Sequence, residues 1–179
     1  MTQVGESTIL RIPGYRDVVM RRYEKMYFEF NQMYNRKPEA ITMMMKKSPY
    51  FVKVYEAGRA YMILERLDIP LGDWQHIGKE NMEDILKHTT KEKFIEWLKG
   101  LKEELKRMQV WHRDVHPGNI MYSIKQKTFK LIDFTWALMD GEPNLGHPDV
   151  LNIHYGRDDN EAIDKMIKEI EEWNVLKKK

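Results

Sequence analysis

Three polar residues stand at spacings that suit one kind of chemistry. Asp114 and Asn119 are five residues apart in the stretch WHRDVHPGNIMY, and Asp133 follows Asp114 by 19 residues, in LIDFT. Transfer of a phosphoryl group from ATP needs a carboxylate that orients the attacking hydroxyl and takes its proton. It also needs hard oxygen ligands that hold Mg²⁺ against the phosphates. Asp114 suits the first task, Asn119 and Asp133 the second. The same stretch holds His112, Arg113 and His116 around a Pro117-Gly118 turn signal, a density of polar groups that a mere connecting loop does not require.

The elements around these residues can be read from periodicity. Phe94, Trp97, Leu98, Leu101, Leu105 and Met108 recur on one face of a long helix, with Thr89 and Glu92 spaced as a capping box at its start. That helix delivers the chain to the polar stretch. Two short strands are expected next, NIMYS and FKLID, separated by the polar turn IKQK, so that Asn119 opens the first and Asp133 ends the second. The chain closes on an amphipathic helix with Ile163, Met166, Ile167, Ile170 and Trp173 on one face and a basic tail, Lys177 to Lys179. Upstream, TILRI and DVVMRRY are strands joined at Pro13-Gly14. YEKMYFEFNQMY and PEAITMMMKK are helical, Pro38 suiting a first turn. YFVKVYEAGRAYMILERL is a hairpin turning at Ala57-Gly58.

Composition bounds the rest. The 179 residues suit one domain, or two small lobes sharing a cleft. A net charge of +2 gives no broad nucleic-acid footprint. With no Cys, the chain has no disulfide, thiolate zinc site or Cys nucleophile, which fits a reducing compartment. The opening MTQVGESTIL lacks the basic start and apolar run of a signal peptide, and no apolar stretch reaches membrane-spanning length. A cytoplasmic setting is therefore expected. The 13 Met suit adaptable core packing.

HRDVHPGN followed by LIDFT resembles the catalytic loop and the metal-binding Asp-Phe-Gly segment of protein-kinase-like phosphotransferases. The resemblance implies an α+β, two-lobed fold with ATP and Mg²⁺ as cofactors. Residues 1–66 would form an N-lobe with a reduced antiparallel sheet, and residues 67–179 a shortened helical C-lobe. VVMRR falls where the family's Val-Ala-Ile-Lys strand would lie, putting Arg21 at the Lys position, with Arg22 or Lys25 as alternatives. Glu39 is the implied ion-pair partner, and Glu29 the alternative. In MILERL, Leu64 would guard the back of the adenine pocket, while the Glu65 carbonyl and Leu67 backbone groups would bond adenine.

The pattern also departs from that family. Only VGEST stands for the glycine-rich loop, so the first strand is expected to be missing or vestigial, with Gly5, Glu6, Ser7 and Thr8 as a reduced phosphate cover. A partner protein could complete so small an N-lobe. Thr135 replaces the usual Gly, and no Ala-Pro-Glu sequence follows. The pattern H-x-D-x-H-P-G-N is similar to loops of aminoglycoside and choline kinases. It implies a hydroxyl acceptor on a small molecule, sugar or glycan; the alternatives are a truncated protein kinase and a regulatory pseudokinase that binds a protein partner. His116 would lie near the transferred phosphate or pin the loop. His112 would pack beneath Phe134, and Arg113 would brace the segment after Asp133.

Overall fold

The structure is a computed structural model. It describes residues 2–4, 7–24, 43, 47–139 and 159–173. Of the expected helices over YEKMYFEFNQMY and PEAITMMMKK, residues 25–42 and 44–46, with Lys25, Glu29 and Glu39, lie outside these; Met43 is a buried helical residue, whereas Tyr23 ends a strand and Glu24 and Lys47 lie in no helix.

The N-terminal part builds an antiparallel sheet of five strands: β1 (Thr2–Val4), β2 (Ser7–Arg11), β3 (Val18–Tyr23), β4 (Val54–Ala57) and β5 (Tyr61–Glu65), in the order β1-β2-β3-β5-β4. A first strand is therefore present, in the vestigial form the sequence allowed. It is three residues long and pairs Val4 with Ser7, so only residues 5 and 6 connect it to β2. Strand alternation on β3 buries Arg21 and Tyr23 and exposes Arg22. Arg22 thus sits on the opposite face from Arg21, which removes it as an alternative at the Lys position.

β5 leads through β6 (Ile69–Pro70) to helices α1 (Lys79–Ile85) and α2 (Lys91–Met108). α2 starts one residue later than expected. Thr90 caps it by accepting the Lys93 N–H at 3.3 Å, so the position facing the cap is Lys93 and no reciprocal capping box forms. Gln109 ends the helix in the left-handed conformation, with Lys106 and Arg107 in the last turn complementing the dipole. The face through Phe94, Trp97, Leu98, Leu101 and Leu105 is buried. It packs on the final helix α3 (Asp159–Glu172), which buries Ile163, Met166 and Ile170 in return. The one polar residue on that buried face, Glu104, accepts from Ser48 at 2.6 Å and is gripped by Arg107 at 2.8 and 2.9 Å. Those bonds offset its desolvation and hold its carboxyl below the usual range.

The strand pair expected around the polar stretch is β8 (Ile120–Ser123) and β9 (Thr128–Leu131). β6 adds to its edge, giving a three-stranded sheet in the order β6-β8-β9. A second small pairing joins β7 (Val110–Trp111) to β10 (Leu138–Met139). Phe129 packs the hairpin onto α2 through Phe94, with ring centroids 4.2 Å apart.

Two sets of bonds tie this hairpin to the N-terminal sheet. The chain before β4 runs alongside β9: the Leu131 N–H donates to the Tyr50 carbonyl at 2.8 Å, and Val52 N–H to the Leu131 carbonyl at 3.0 Å. At the end of β5, the buried Glu65 carboxylate accepts the Lys53 N–H at 2.8 Å and the Gln126 side-chain amide, and lies 3.7 Å from the Lys130 ammonium. Asp133, two residues beyond β9, is therefore fixed relative to the five-stranded sheet. No helix among the described residues is long and apolar enough to cross a membrane.

Candidate active site

The loop from His112 to Asn119 is built inward from its backbone. Pro117–Asn119 form one 3₁₀ turn, which His116 caps by accepting the Gly118 N–H on Nδ1 at 3.0 Å. The same N–H reaches the Asp73 carbonyl at 2.7 Å. Glycine favours this approach, since a Cβ there would lie 2.9 Å from the imidazole Cε1 and 3.1 Å from the Asp73 carbonyl carbon and would push the ring aside. With Nδ1 accepting, the remaining ring nitrogen, Nε2, faces Asp114 Oδ1 at 3.5 Å. Asn119 holds Asp114 from the other side, its Nδ2 donating to the Asp114 carbonyl at 2.9 Å and to Oδ2 at 3.0 Å. The carboxylate is thus oriented at both oxygens while staying partly open.

His112, fully buried, joins this loop to the Asp133 segment. Its Nε2 donates to the Ile132 carbonyl at 3.0 Å, which leaves Nδ1 to accept the Asp114 N–H at 3.3 Å. The ring stands edge-on to Phe134, with centroids 4.7 Å apart, and Phe134 packs in turn on Phe51. The Ile132 N–H donates to the Asn119 carbonyl at 2.9 Å.

Arg113 and Asp133 take positive φ, +69° and +59°. A non-glycine residue in that region costs on the order of 1–3 kcal/mol, and each has a clear support. Buried Asp159, at the start of α3, accepts the N–H groups of His112 and Arg113 at 2.7 and 2.8 Å. Thr135 donates both its N–H and its hydroxyl to Asp133 Oδ1, a local turn that suits Asp. Asp159 was not foreseen as a site residue. Its only signal in the sequence is an acid at a helix start, which is also what an ordinary cap looks like.

Across from the loop, Arg21 reaches out of β3. Its Nη2 donates to Asp133 Oδ2 at 3.3 Å, its Nε to Ser7 Oγ at 2.8 Å, and the guanidinium carbon lies 5.2 Å from the Tyr23 ring centroid. Burial pushes the Asp133 carboxyl up, but the Arg21 charge and the Thr135 hydrogen bonds outweigh it and hold the group below the usual carboxylate range. A depressed folded-state pKa contributes stability that is present above the unfolded value, about 3.9, and is lost as pH falls through the folded one. Arg21→Gln is therefore expected to lower the thermal midpoint at pH 7, and its deficit to shrink as the pH drops below about 4. A deficit independent of pH from 7 to 2.5 would mean that the pair adds nothing to stability.

The structure brings together Asp114, Asn119, His112, His116, Asp133, Phe134 and Arg21, with Arg113 on the same loop. The proposed adenine contacts lie at the end of β5. The Glu65 N–H is taken by the Lys53 carbonyl at 2.9 Å, while Leu67 backbone groups make no hydrogen bond among the described residues. The oxygen donors suit a hard cation. With Nδ2 turned onto Asp114, Asn119 keeps its carbonyl oxygen for a ligand, and Asp133 supplies a carboxylate, a set that matches Mg²⁺ bound mainly by phosphates and water. Beside His116, between the Asp73–Ile77 loop and α3, opens a cavity of about 290 Å³, walled by Trp74, Gln75, Glu161, Lys165 and Glu169.

No family model and no curated protein matches the chain. Among solved structures, it is similar to the kinase PK-1 of Cydia pomonella granulovirus, with a TM-score of 0.50 and 20% identity. The match covers 76% of this chain and 49% of that kinase, so the chain spans about half its length. Strand order, the hairpin after the polar loop and this likeness agree on one architecture: the chain has a protein-kinase-like fold.

Proposed function

We propose that the chain is an ATP- and Mg²⁺-dependent phosphotransferase that moves the γ-phosphate to a hydroxyl of a small molecule, sugar or glycan. The observation that carries this reading is the meeting of three groups across the cleft. Asp114 is oriented at both oxygens by Asn119 and His116, and Asp133 faces Arg21 from the sheet at 3.3 Å. Asp114 would accept the hydroxyl proton as the oxygen attacks in line. Arg21 would neutralise phosphate charge, and Asn119 and Asp133 would hold Mg²⁺, which supplies further neutralisation when bound. Glu39 remains the proposed partner of Arg21, and the Glu65 carbonyl and Leu67 backbone the proposed adenine contacts.

The cavity beside His116 favours a small acceptor. About 290 Å³ accommodates a single sugar ring; Gln75, Glu161, Lys165 and Glu169, on a wall that also carries Val115, Pro117, Ala162 and Met166, offer donors and acceptors to hydroxyls, and Trp74, 58% exposed, offers a flat apolar face to the ring. Purified protein, γ-labelled ATP and Mg²⁺ should be offered sugars, glycans, lipids and proteins. Transfer to a soluble hydroxyl compound is the expected result. Label on proteins alone would overturn the small-molecule acceptor, and failure to bind ATP–Mg²⁺ would overturn the enzyme in favour of a pseudokinase. With the acceptor so identified, Trp74→Ala is expected to raise its KM about 3- to 10-fold, the worth of an aromatic contact, and to leave the KM for ATP unchanged. An unaltered acceptor KM would place the acceptor elsewhere.

A further inference from the structure

We infer that Ser7 is a positioning residue for phosphate binding, an inference that rests on the nucleotide-binding reading above. The evidence is how Arg21 is held. An arginine at the end of a long, flexible chain is a poor phosphate clamp unless its planar fork is aimed beforehand. Among the described residues, three contacts aim it. Ser7 Oγ on β2 accepts from Nε at 2.8 Å, the Tyr23 ring lies 5.2 Å from the guanidinium carbon, and Asp133 takes Nη2 at 3.3 Å. Ser7 and Arg21 are both buried, 2% and 8% exposed, so the bond forms out of competition with water.

The register explains why Ser7 can do this. Ser7 pairs directly with Tyr23 and Ile9 with Arg21, so Ser7 and Arg21 are diagonal neighbours on one face of the β2–β3 ladder. Ser7 also lies just past the two-residue connection from β1, where the cover over the phosphates would be. The bond uses Nε, an atom that lysine lacks. Lysine carries a methylene at that point of its side chain, so this bond belongs to the Ser7–Arg21 pair alone. Asp133 is the exchangeable contact: when phosphate oxygens arrive, Nη2 can leave Asp133 for them while Nε stays on Ser7.

The test is a double-mutant cycle read by calorimetric titration with ATP–Mg²⁺, using the wild type, Ser7→Ala, Arg21→Lys and the double variant. Ser7→Ala should weaken binding about 5- to 20-fold in the arginine background and change it less than about twofold in the lysine background. Ser7→Thr, which keeps the hydroxyl on a strand-favouring residue, should bind as the wild type does. Should Ser7→Ala fail to fold, Ser7→Cys supplies the same comparison, since a thiol is a weak acceptor of similar size. An equal loss in both backgrounds, or no loss in either, overturns the pairing while leaving nucleotide binding intact. A wild type that binds no ATP–Mg²⁺ overturns the enzyme reading, and this inference with it.

Discussion

Asp114→Asn is expected to lower kcat about 10²- to 10⁴-fold, the usual worth of a positioned general base, with the Kd for ATP–Mg²⁺ changed less than about twofold. The amide is nearly isosteric and can still present an oxygen to Asn119 Nδ2, which now lies 3.0 Å from Oδ2. The loop does not depend on this carboxylate, because its supports are the bonds from Gly118 to His116 and Asp73, and from His112 and Arg113 to Asp159. On the proposed mechanism, what the variant loses is the ability to take a proton from the acceptor hydroxyl. Single-turnover transfer measured beside nucleotide titration separates the two. A loss of ATP affinity matching the loss of rate would mean that Asp114 braces the loop and does not act on the acceptor.

The same supports indicate which parts of the site the sequence made legible. Asp114, Asn119 and Asp133 stood out because phosphoryl transfer demands particular side chains at nearly fixed spacing, and α2 because an apolar face repeated over 18 residues has one periodic reading. The start of α2 was misplaced by one residue because Thr89 and Thr90 are adjacent and either can cap. Only the path of the chain decides, and it gives the cap to Thr90. β1 was legible only as a vestige, for a different reason. Three residues are too few to carry alternation, so the strand exists through its ladder with β2 and not through its own composition. The two-residue strands β6, β7 and β10 share that origin. Ser7, Asp73 and Asp159 were illegible as supports because each works through a partner that only the fold brings near: Arg21 across a ladder, Gly118 through a backbone carbonyl, and two backbone amides 46 and 47 residues away. Groups that do chemistry are named by type and spacing, whereas groups that aim them are named by register and packing.

Asp133→Asn is expected to abolish the Mg²⁺ dependence of nucleotide binding and to cut transfer by at least about 100-fold, since a metal on the phosphates contributes several kcal/mol. The sign of the effect on ATP without metal makes the experiment discriminating. Asp133 Oδ2 holds Arg21 Nη2 at 3.3 Å, so the carboxylate competes with phosphate for that donor. It also places a negative charge beside the entering phosphates, which only a cation can screen. Neutralising it removes both penalties. Metal-free ATP should therefore bind Asp133→Asn at least as well as it binds the wild type, while added Mg²⁺ tightens binding in the wild type alone. A thermal-shift titration of both proteins with ATP, in chelator and in excess Mg²⁺, reads all four combinations. If Asp133→Asn weakens ATP binding equally with and without Mg²⁺, the residue is supporting the pocket through Thr135 and Arg21 and does not ligate a metal. If Mg²⁺ still tightens ATP binding to the variant, the metal does not need Asp133, and its assignment as a ligand falls.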